Sequence, residues 1–312
     1  MKKSIAIWHY PYRTPTENIY YFASHGFEAL SQSGYFFNSS ISTEERSAFT
    51  KAIRDTGVRF TVHHLLPCAR KNYTAEAFTE HIKEFRRWQD ETGLLWNLSF
   101  DVPTELRPHA SCYIQTALDI FRGTDTKISV EDYGVTAEER ADLEPLRKYE
   151  NFGYLIDLGH MNIRLRNTDR VTPYPSANQQ GEGMPLPPGD GSPEAFRNAL
   201  NGKTFPIFEY HVHNNSGYDD DHRYMEDGTI DTKGLAKVLK DLDRDQVCTL
   251  ELVPDWTGTP EEVARQREAE RIYWEKLEET FRLPEFAGKP DPARDARMLR
   301  SVAFWDRCMA EE

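Results

Sequence analysis

The chain has 312 residues, of which 38% are hydrophobic and 29% are charged, so it can bury a sizeable core as one large domain or two medium-sized ones. Its formal net charge of -13, with no long Lys/Arg run, argues against a nucleic-acid partner, because a polyanion requires a basic surface. No apolar stretch reaches the roughly 18 residues that a membrane-spanning helix needs, so no membrane partner is predicted.

Four cysteines are scattered through the chain at positions 68, 112, 248 and 308, and none belongs to a Cys-x-x-Cys pair. This spacing predicts free thiols and argues against a disulfide framework or a zinc knuckle. The N-terminus has two lysines but only a short apolar run, which is typical of a first strand rather than a signal peptide. We therefore expect a cytoplasmic protein.

Eight short apolar runs, each followed by turn residues, predict eight β-strands. They cover residues 4–10, 27–33, 59–66, 94–102, 127–133, 154–160, 207–212 and 248–253. Four of the helical patterns between them begin with a capping box, in which a hydroxyl and a glutamate three residues later satisfy early N–H groups. The boxes are Thr14 with Glu17, Ser42 with Glu45, Thr136 with Glu139, and Thr259 with Glu262. Gly57, Gly93 and Gly123 stand where helices should end.

Eight strand–helix units predict an α/β protein with the (β/α)8 TIM-barrel fold, in which helices surround a parallel barrel. A doubly wound open sheet is the competing architecture, and the lack of a Gly-x-Gly-x-x-Gly motif after the first strand argues against it. We assign residues 1–280 to the barrel and residues 281–312 to a C-terminal extension that contains a helix.

Two segments depart from the repeating unit. Residues 164–206 form a long Pro/Gly-rich insertion after the sixth strand, which is either a lid over a site or an inert loop. The helix of the extension carries apolar residues that need burial: Leu299, Val302, Ala303 and Phe304. Packing on the barrel would bury them, and a contact between subunits of a homo-oligomer is the alternative.

Polar side chains end four successive strands in the second half of the chain: Glu131, Asp157, His211 and Glu251. The carboxyl ends of parallel barrel strands meet at one mouth, so these side chains should converge. Each alone has an ordinary explanation, as a solvated carboxylate or a core histidine. Together they suit one divalent metal ion, with Mn²⁺ favoured and Mg²⁺, Co²⁺ and Zn²⁺ as alternatives. We expect the neighbouring Asp132 to be a solvated loop residue.

Two motifs around these residues resemble those of the xylose isomerase-like barrel superfamily. The sequence DLGH at 157–160 is similar to its Asp-x-x-His element. The segment HVHNNSGYDDDHRYMEDGTID at 211–231 is similar to its His-x-His/Asn-Asp … Asp-x-His … Gly-x-Gly-x-Ile-Asp segment. The superfamily includes ketose 3-epimerases, xylose isomerase, inosose and dehydroshikimate dehydratases, and endonuclease IV. The resemblance spans the barrel, and its motifs are confined to residues 131–251.

The resemblance to ketose 3-epimerases implies roles for individual residues. The four strand-end residues would bind the metal, and Glu131 and Glu251 would also be the catalytic acid and base on opposite faces of a sugar. His160 would contact a substrate oxygen, and His213 would either do the same or pack inside the barrel. The implied chemistry is removal of a proton next to a carbonyl, assisted by the metal.

The chain also departs from each of these relatives. Endonuclease IV uses further histidines on its third and fourth strands; here His63 lies on the third strand, but the fourth has none. Asp220 and His222 nevertheless resemble its zinc-binding Asp-x-His pair. Tyr133 stands where xylose isomerase has a lysine, which weakens the case for a hydride shift. Gly217 stands where ketose 3-epimerases have an arginine.

Further substrate contacts are expected around the mouth. Arg223 could replace the missing arginine, and His63 and His222 are expected nearby. Aromatic residues at the ends of the first and eighth strands could form a wall for a sugar ring: Trp8, His9, Tyr10, Tyr12 and Trp256. His9 and Trp256 lie nearest the turns and are the better pocket residues, whereas Trp8 fits the core equally well.

We predict an enzyme whose partner is a small carbohydrate: a metal-dependent sugar isomerase or epimerase. A lyase or dehydratase acting on a keto-sugar, inosose or glycoside begins with the same deprotonation and is the first alternative. An endonuclease IV-like phosphodiesterase is the second, and it requires two or three metals and a basic groove. A noncatalytic sugar-binding barrel is the third, but it would not need two opposed glutamates.

Overall fold

A computed structural model describes residues 1–37, 41–164, 191–217, 220–242, 245–253, 259–280 and 292–311. Within these ranges the chain forms an eight-stranded, wholly parallel sheet in the order β1-β8-β7-β6-β5-β4-β3-β2. The strands are β1 Lys2–Ile5, β2 Ala29–Ser33, β3 Arg59–Leu65, β4 Leu95–Asp101, β5 Lys127–Glu131, β6 Phe152–Asp157, β7 Ile207–Val212 and β8 Val247–Leu250. All eight predicted strands are therefore confirmed.

The sheet curls into a nearly closed barrel. β8 pairs with β1 on one side, and β1 meets β2 through a bridge between Ala6 and Ser31 and a bond from Glu28 N to Lys3 O of 2.9 Å. An open doubly wound sheet would leave its first and last strands apart. The predicted (β/α)8 barrel is thus confirmed over the open-sheet alternative.

Ten α-helices lie among the described residues. They are α1 Pro15–Ser24, α2 Thr43–Thr56, α3 Ala75–Thr92, α4 Ser111–Ile120, α5 Ala137–Leu143, α6 Leu158–Arg164, α7 Pro193–Asn201, α8 Thr232–Lys240, α9 Pro260–Thr280 and α10 Pro292–Ala310. Reciprocal hydrogen bonds form all four predicted capping boxes, at the starts of α1, α2, α5 and α9. Gly57 and Gly93 end α2 and α3 with φ of 67° and 69°, a left-handed conformation that glycine adopts without steric cost.

Three strands end at least three residues earlier than the apolar runs suggest. β1 stops at Ile5, and a 3-10 turn over Ile7–His9 turns the next side chains across the barrel mouth. β6 stops at Asp157, so His160 belongs to helix α6 instead of the strand. β8 stops at Leu250, immediately before Glu251. In each case the chemistry-bearing residue lies at or just past the strand's carboxyl end, where the mouth is built.

The C-terminal helix α10 packs on the barrel. Its buried face includes Met298, Val302, Trp305 and Cys308, and Tyr12 Oη donates to Asp295 Oδ1 at 2.8 Å. Leu299 and Phe304 are half-buried, whereas Ala303 is exposed, so that part of the expectation is wrong. The apolar face of the helix is therefore covered largely by its own barrel.

The structure bears on three further expectations: the role of the insertion after β6, the state of the cysteines and the absence of a membrane-spanning helix among the described residues. Residues 165–190 lie outside the described residues, so the choice between a lid and an inert loop stays a prediction; α7 follows them. All four cysteines are free thiols, as expected. Among the described helices, none combines the length and apolar character needed to cross a bilayer.

Candidate metal centre

The four strand-end residues meet at the carboxyl mouth of the barrel. Asp157 and His211 are register partners on adjacent strands, and both are fully inaccessible to solvent. Glu131 ends β5 and Glu251 follows β8, with exposures of only 5% and 8%. Burying three carboxylates so closely is costly unless a cation compensates for their charge.

Distances within this group are short. His211 Nδ1 lies 3.0 Å from Glu251 Oε2 and 3.9 Å from Glu131 Oε1. One ligand atom from each of Glu131, Asp157 and His211 lies within 4.8 Å of the others. Asp157 Oδ2 is buried and has no hydrogen-bond partner among the described residues. This donor set fits a divalent cation, which would supply the contact that Asp157 Oδ2 lacks.

Glu131 and Glu251 have opposite tendencies to hold a proton. Burial raises the pKa of the Glu131 carboxyl, and His63 and His160 offset this only in part. Burial acts in the same direction on Glu251, but the adjacent His211 and His222 hold its pKa well below the usual range. Two neighbouring carboxyl groups with separated pKa values are what acid–base chemistry requires.

A second cluster of donors lies beside the first and contains three imidazoles and one carboxylate: His160, His213, Asp220 and His222. The Asp220 carboxylate lies at its centre, 3.1 Å from His160 Nε2, 3.1 Å from His222 Nε2 and 3.4 Å from His213 Nε2. The His213 and His222 rings are stacked, with 4.0 Å between their centroids. His213 Nε2 also lies 3.3 Å from Asp157 Oδ1, so the two clusters adjoin.

Asp220 controls the charge of this second cluster. Burial alone would lower the pKa of His222, but Asp220 and Glu251 raise it to about 10. In turn, burial acts to raise the pKa of Asp220, while His222 and His160 hold it well below its usual range. The cluster is therefore electrostatically linked to the first through Glu251, and three imidazoles with one carboxylate could hold a cation such as Zn²⁺.

Two more of the expected contact residues lie at the mouth. His9 Nε2 is 3.4 Å from Glu251 Oε1, and His63 Nε2 is 3.4 Å from Glu131 Oε2. The half-buried Trp8 stacks on His63 with 6.0 Å between ring centroids, and it lies 6.1 Å from the ring of His211. Trp8 thus belongs to the wall of the mouth and is not a fully buried core residue.

Other expected contacts are not brought into these clusters. Arg223 is paired with Asp221 at 2.7 Å, and its side chain is 40% exposed. Tyr10 and Tyr12 are buried in the hydrophobic core. Trp256 lies outside the described residues.

The expectation that Asp132 is a solvated loop residue is wrong. It is only 3% exposed instead of solvated, because its carboxylate turns inward and lies 3.0 Å from His160 Nδ1. Its φ of 46° is left-handed, and Arg107 donates to its backbone oxygen at 3.3 Å. A strained non-glycine residue beside a candidate site is a known mark of functional geometry. Its position directly after Glu131 was the one available signal.

Comparisons with known proteins support the fold. No family model matches the sequence, and no curated protein matches it. Among solved structures, a D-tagatose 3-epimerase-like protein aligns with a TM-score of 0.56 and 17% identity, covering 89% of this chain and 99% of its own. D-allulose 3-epimerase from Methylomonas sp. aligns with a TM-score of 0.60 and 12% identity, covering 99% and 98%.

A third similar structure is a xylose isomerase domain protein from Alicyclobacillus acidocaldarius subsp. acidocaldarius. It aligns with a TM-score of 0.50 and 12% identity, covering 90% of this chain and 99% of its own. The Methylomonas enzyme also aligns in its complex with D-allulose, with a TM-score of 0.59. At these identities the likeness establishes the fold alone, a parallel (β/α)8 barrel.

Proposed function

We propose that this chain is a divalent-metal-dependent enzyme that isomerises or epimerises a sugar or polyol derivative by removing a proton next to a carbonyl. The observation that carries the proposal is the placement of two buried glutamates, Glu131 and Glu251, within 4 Å of His211 Nδ1. Two of the similar structures are a ketose 3-epimerase and a 3-epimerase-like protein, and one was crystallised with a ketose. These likenesses support the choice of substrate class.

The chemistry divides between the cation and the glutamates. A divalent ion held by Glu131, Asp157, His211 and Glu251 would neutralise negative charge as it develops on a substrate oxygen. Glu251, whose pKa lies well below its usual range, would remove the proton from the carbon next to the carbonyl. Glu131, whose pKa is raised by burial, would return a proton from the other side. Mn²⁺ is the favoured ion.

The remaining histidines would orient the substrate. His9 and His63 each lie 3.4 Å from one of the two glutamates, so they would contact hydroxyl groups of a bound sugar. The other end of the bound sugar would contact His160, His213 and His222. We also propose that the protein is cytoplasmic and forms a homo-oligomer. Arg223 or Trp256 would make a further contact with the substrate.

The alternatives differ in measurable ways. A lyase or dehydratase shares the first deprotonation and differs only in losing a leaving group, so product analysis separates it from an epimerase. A phosphodiesterase needs more than one tightly bound metal, and the second cluster around Asp220 is the observation that favours it. One metal per chain at saturation supports the isomerase or epimerase, whereas two or three would favour the phosphodiesterase.

Deuterium exchange tests the proposed reaction directly. The Mn²⁺-loaded protein is incubated in D₂O with a panel of ketoses, keto-glycosides and inososes, and the sugars are examined by mass spectrometry and NMR. We expect deuterium on the carbon next to the carbonyl of at least one compound, even without net conversion. Conversion without deuterium would indicate a hydride shift, and exchange on none of the compounds would contradict the proposed substrate class.

Gly159→Ala is expected to weaken substrate binding. Gly159 packs against His213, and a Cβ there would lie 2.1 Å from both Cε1 and Nε2 of that ring, so the imidazole must move. Losing one substrate hydrogen bond should raise KM in the exchange assay about tenfold. Gly202→Ala is the matched control, because its Cβ would come no closer than 3.7 Å to a neighbouring atom. An unchanged KM in Gly159→Ala would show that His213 does not contact substrate.

A further inference from the structure

A carboxylate lies inside the barrel beneath the candidate metal centre. Glu209 on β7 is fully inaccessible to solvent, although the interiors of such barrels are filled mainly by branched aliphatic side chains. A buried carboxylate without compensation is strongly destabilising. A residue of this kind therefore requires partners that offset its cost.

Three neutral side chains on three other strands supply those partners. Thr61 Oγ1 and Thr249 Oγ1 donate to Glu209 Oε1 at 3.0 and 2.6 Å, and Asn97 Nδ2 donates to Oε2 at 2.9 Å. Asn97 is held in turn by Ser129, whose hydroxyl donates to its Oδ1 at 3.0 Å. The network fixes the position of the carboxylate and involves no basic side chain, so Glu209 has no Lys or Arg partner among these contacts.

The fixed carboxylate points at one nitrogen of a candidate metal ligand. Glu209 and His211 are two residues apart on β7, so their side chains project from the same face of the strand. His211 Nε2 is buried without a hydrogen bond to any described residue and lies 3.6 Å from Glu209 Oε1, just beyond hydrogen-bond distance, while Nδ1 on the other side of the ring faces Glu251 Oε2 at 3.0 Å. Each nitrogen of this imidazole thus has its own carboxylate.

We propose that Glu209 is a positioning residue for the metal centre: its negative charge favours the proton on Nε2 of His211 and so keeps Nδ1 available to the cation. The inference rests on the proposed metal centre. A histidine that binds a metal through one nitrogen carries a proton on the other, and a carboxylate facing that proton fixes the ring and strengthens the ligand. A purely structural polar core would not require the carboxylate to face a candidate ligand.

Glu209→Gln is the first test, because it keeps the shape and removes the charge. Mn²⁺ alone is titrated into the protein and the free ion is measured by electron paramagnetic resonance. Loss of an outer partner of a metal ligand typically weakens metal binding 10- to 100-fold, and that range is expected here. Ser129→Ala is the matched control: it lies in the same buried network without touching Glu209 or His211 in the contacts above, and it should bind Mn²⁺ like the wild type.

A second measurement needs no variant, in case the substitution disturbs folding. In the zinc-loaded wild-type protein labelled with ¹⁵N-histidine, His211 should carry zinc on Nδ1 and a proton on Nε2 that exchanges slowly with water. Zinc on Nε2, or a rapidly exchanging proton there, would overturn the role of Glu209. So would unchanged Mn²⁺ affinity in a folded Glu209→Gln protein.

These outcomes are separate from those for the proposed reaction. Neither measurement uses a sugar, so a wrong substrate class would leave the expected weakening of Mn²⁺ binding intact. Failure of the wild-type protein to bind Mn²⁺ or Zn²⁺ would remove the centre itself, and with it the role of Glu209.

Discussion

Glu251→Gln is expected to reduce the rate of deuterium exchange by about 10²- to 10⁴-fold, the usual contribution of a positioned general base. Glutamine keeps the size of the side chain and one ligand oxygen, but it cannot accept the substrate proton. The fold should survive, since Glu251 follows β8 and is not part of the hydrophobic core. The measurement is the initial exchange rate at saturating Mn²⁺ and substrate, with the fold checked by circular dichroism.

Glu261→Gln provides the comparison for this variant. Glu261 lies in the exposed first turn of α9, so its neutralisation changes the net charge of the protein equally without touching the mouth. It should exchange deuterium at the wild-type rate. Near-normal exchange in Glu251→Gln would mean that another group removes the proton.

Asp157→Asn is expected to lose most of the metal affinity. Asp157 is fully buried, and its Oδ2 has no hydrogen-bond partner in the described part of the chain. Asparagine can still accept the bond that His160 N donates to Oδ1 at 2.8 Å, so the start of α6 should persist. Because Asp157 is proposed as a direct ligand and is neutralised here, the loss should exceed the 10- to 100-fold effect of outer partners.

Equilibrium dialysis against Mn²⁺ with elemental analysis measures this loss. Asp241→Asn is a suitable comparison: Asp241 is the C-cap of α8, pairs with Arg197 at 3.1 Å, and belongs to none of the donor clusters. Its metal content should match the wild type. Retention of a full Mn²⁺ equivalent by Asp157→Asn would remove this residue from the ligand set.

The sequence was most informative where structure depends on nearby residues. The four capping boxes formed as predicted because a hydroxyl and a glutamate three residues apart satisfy the helix start locally. The eight strands were predicted equally well, because a short apolar run bounded by turn residues indicates a buried strand. The ends of the strands were harder to predict. β1 stops at Ile5, and a 3-10 turn instead of the strand carries Trp8 and His9.

Features that depend on distant residues could not be read in this way. Asp132 resembles any polar residue after a strand until His160, on the next helix, is placed 3.0 Å from it. Glu209 looks like a polar interruption of an apolar strand, and only the barrel brings Thr61 and Thr249 to its carboxylate. The second cluster likewise needs α6, β7 and the following loop to converge. The strand-end pattern predicted that four polar residues converge at the barrel mouth, whereas the partners of each group required the fold.

The most direct test of the account is the position of the cation itself. Crystals of the protein grown with Mn²⁺ would be measured on both sides of the manganese absorption edge, and an anomalous difference map would locate the ion. We predict one peak within about 2.5 Å of ligand atoms from Glu131, Asp157, His211 and Glu251. A peak only elsewhere in the molecule, or none in protein that still exchanges deuterium into its sugar, would contradict a shared cation at the barrel mouth.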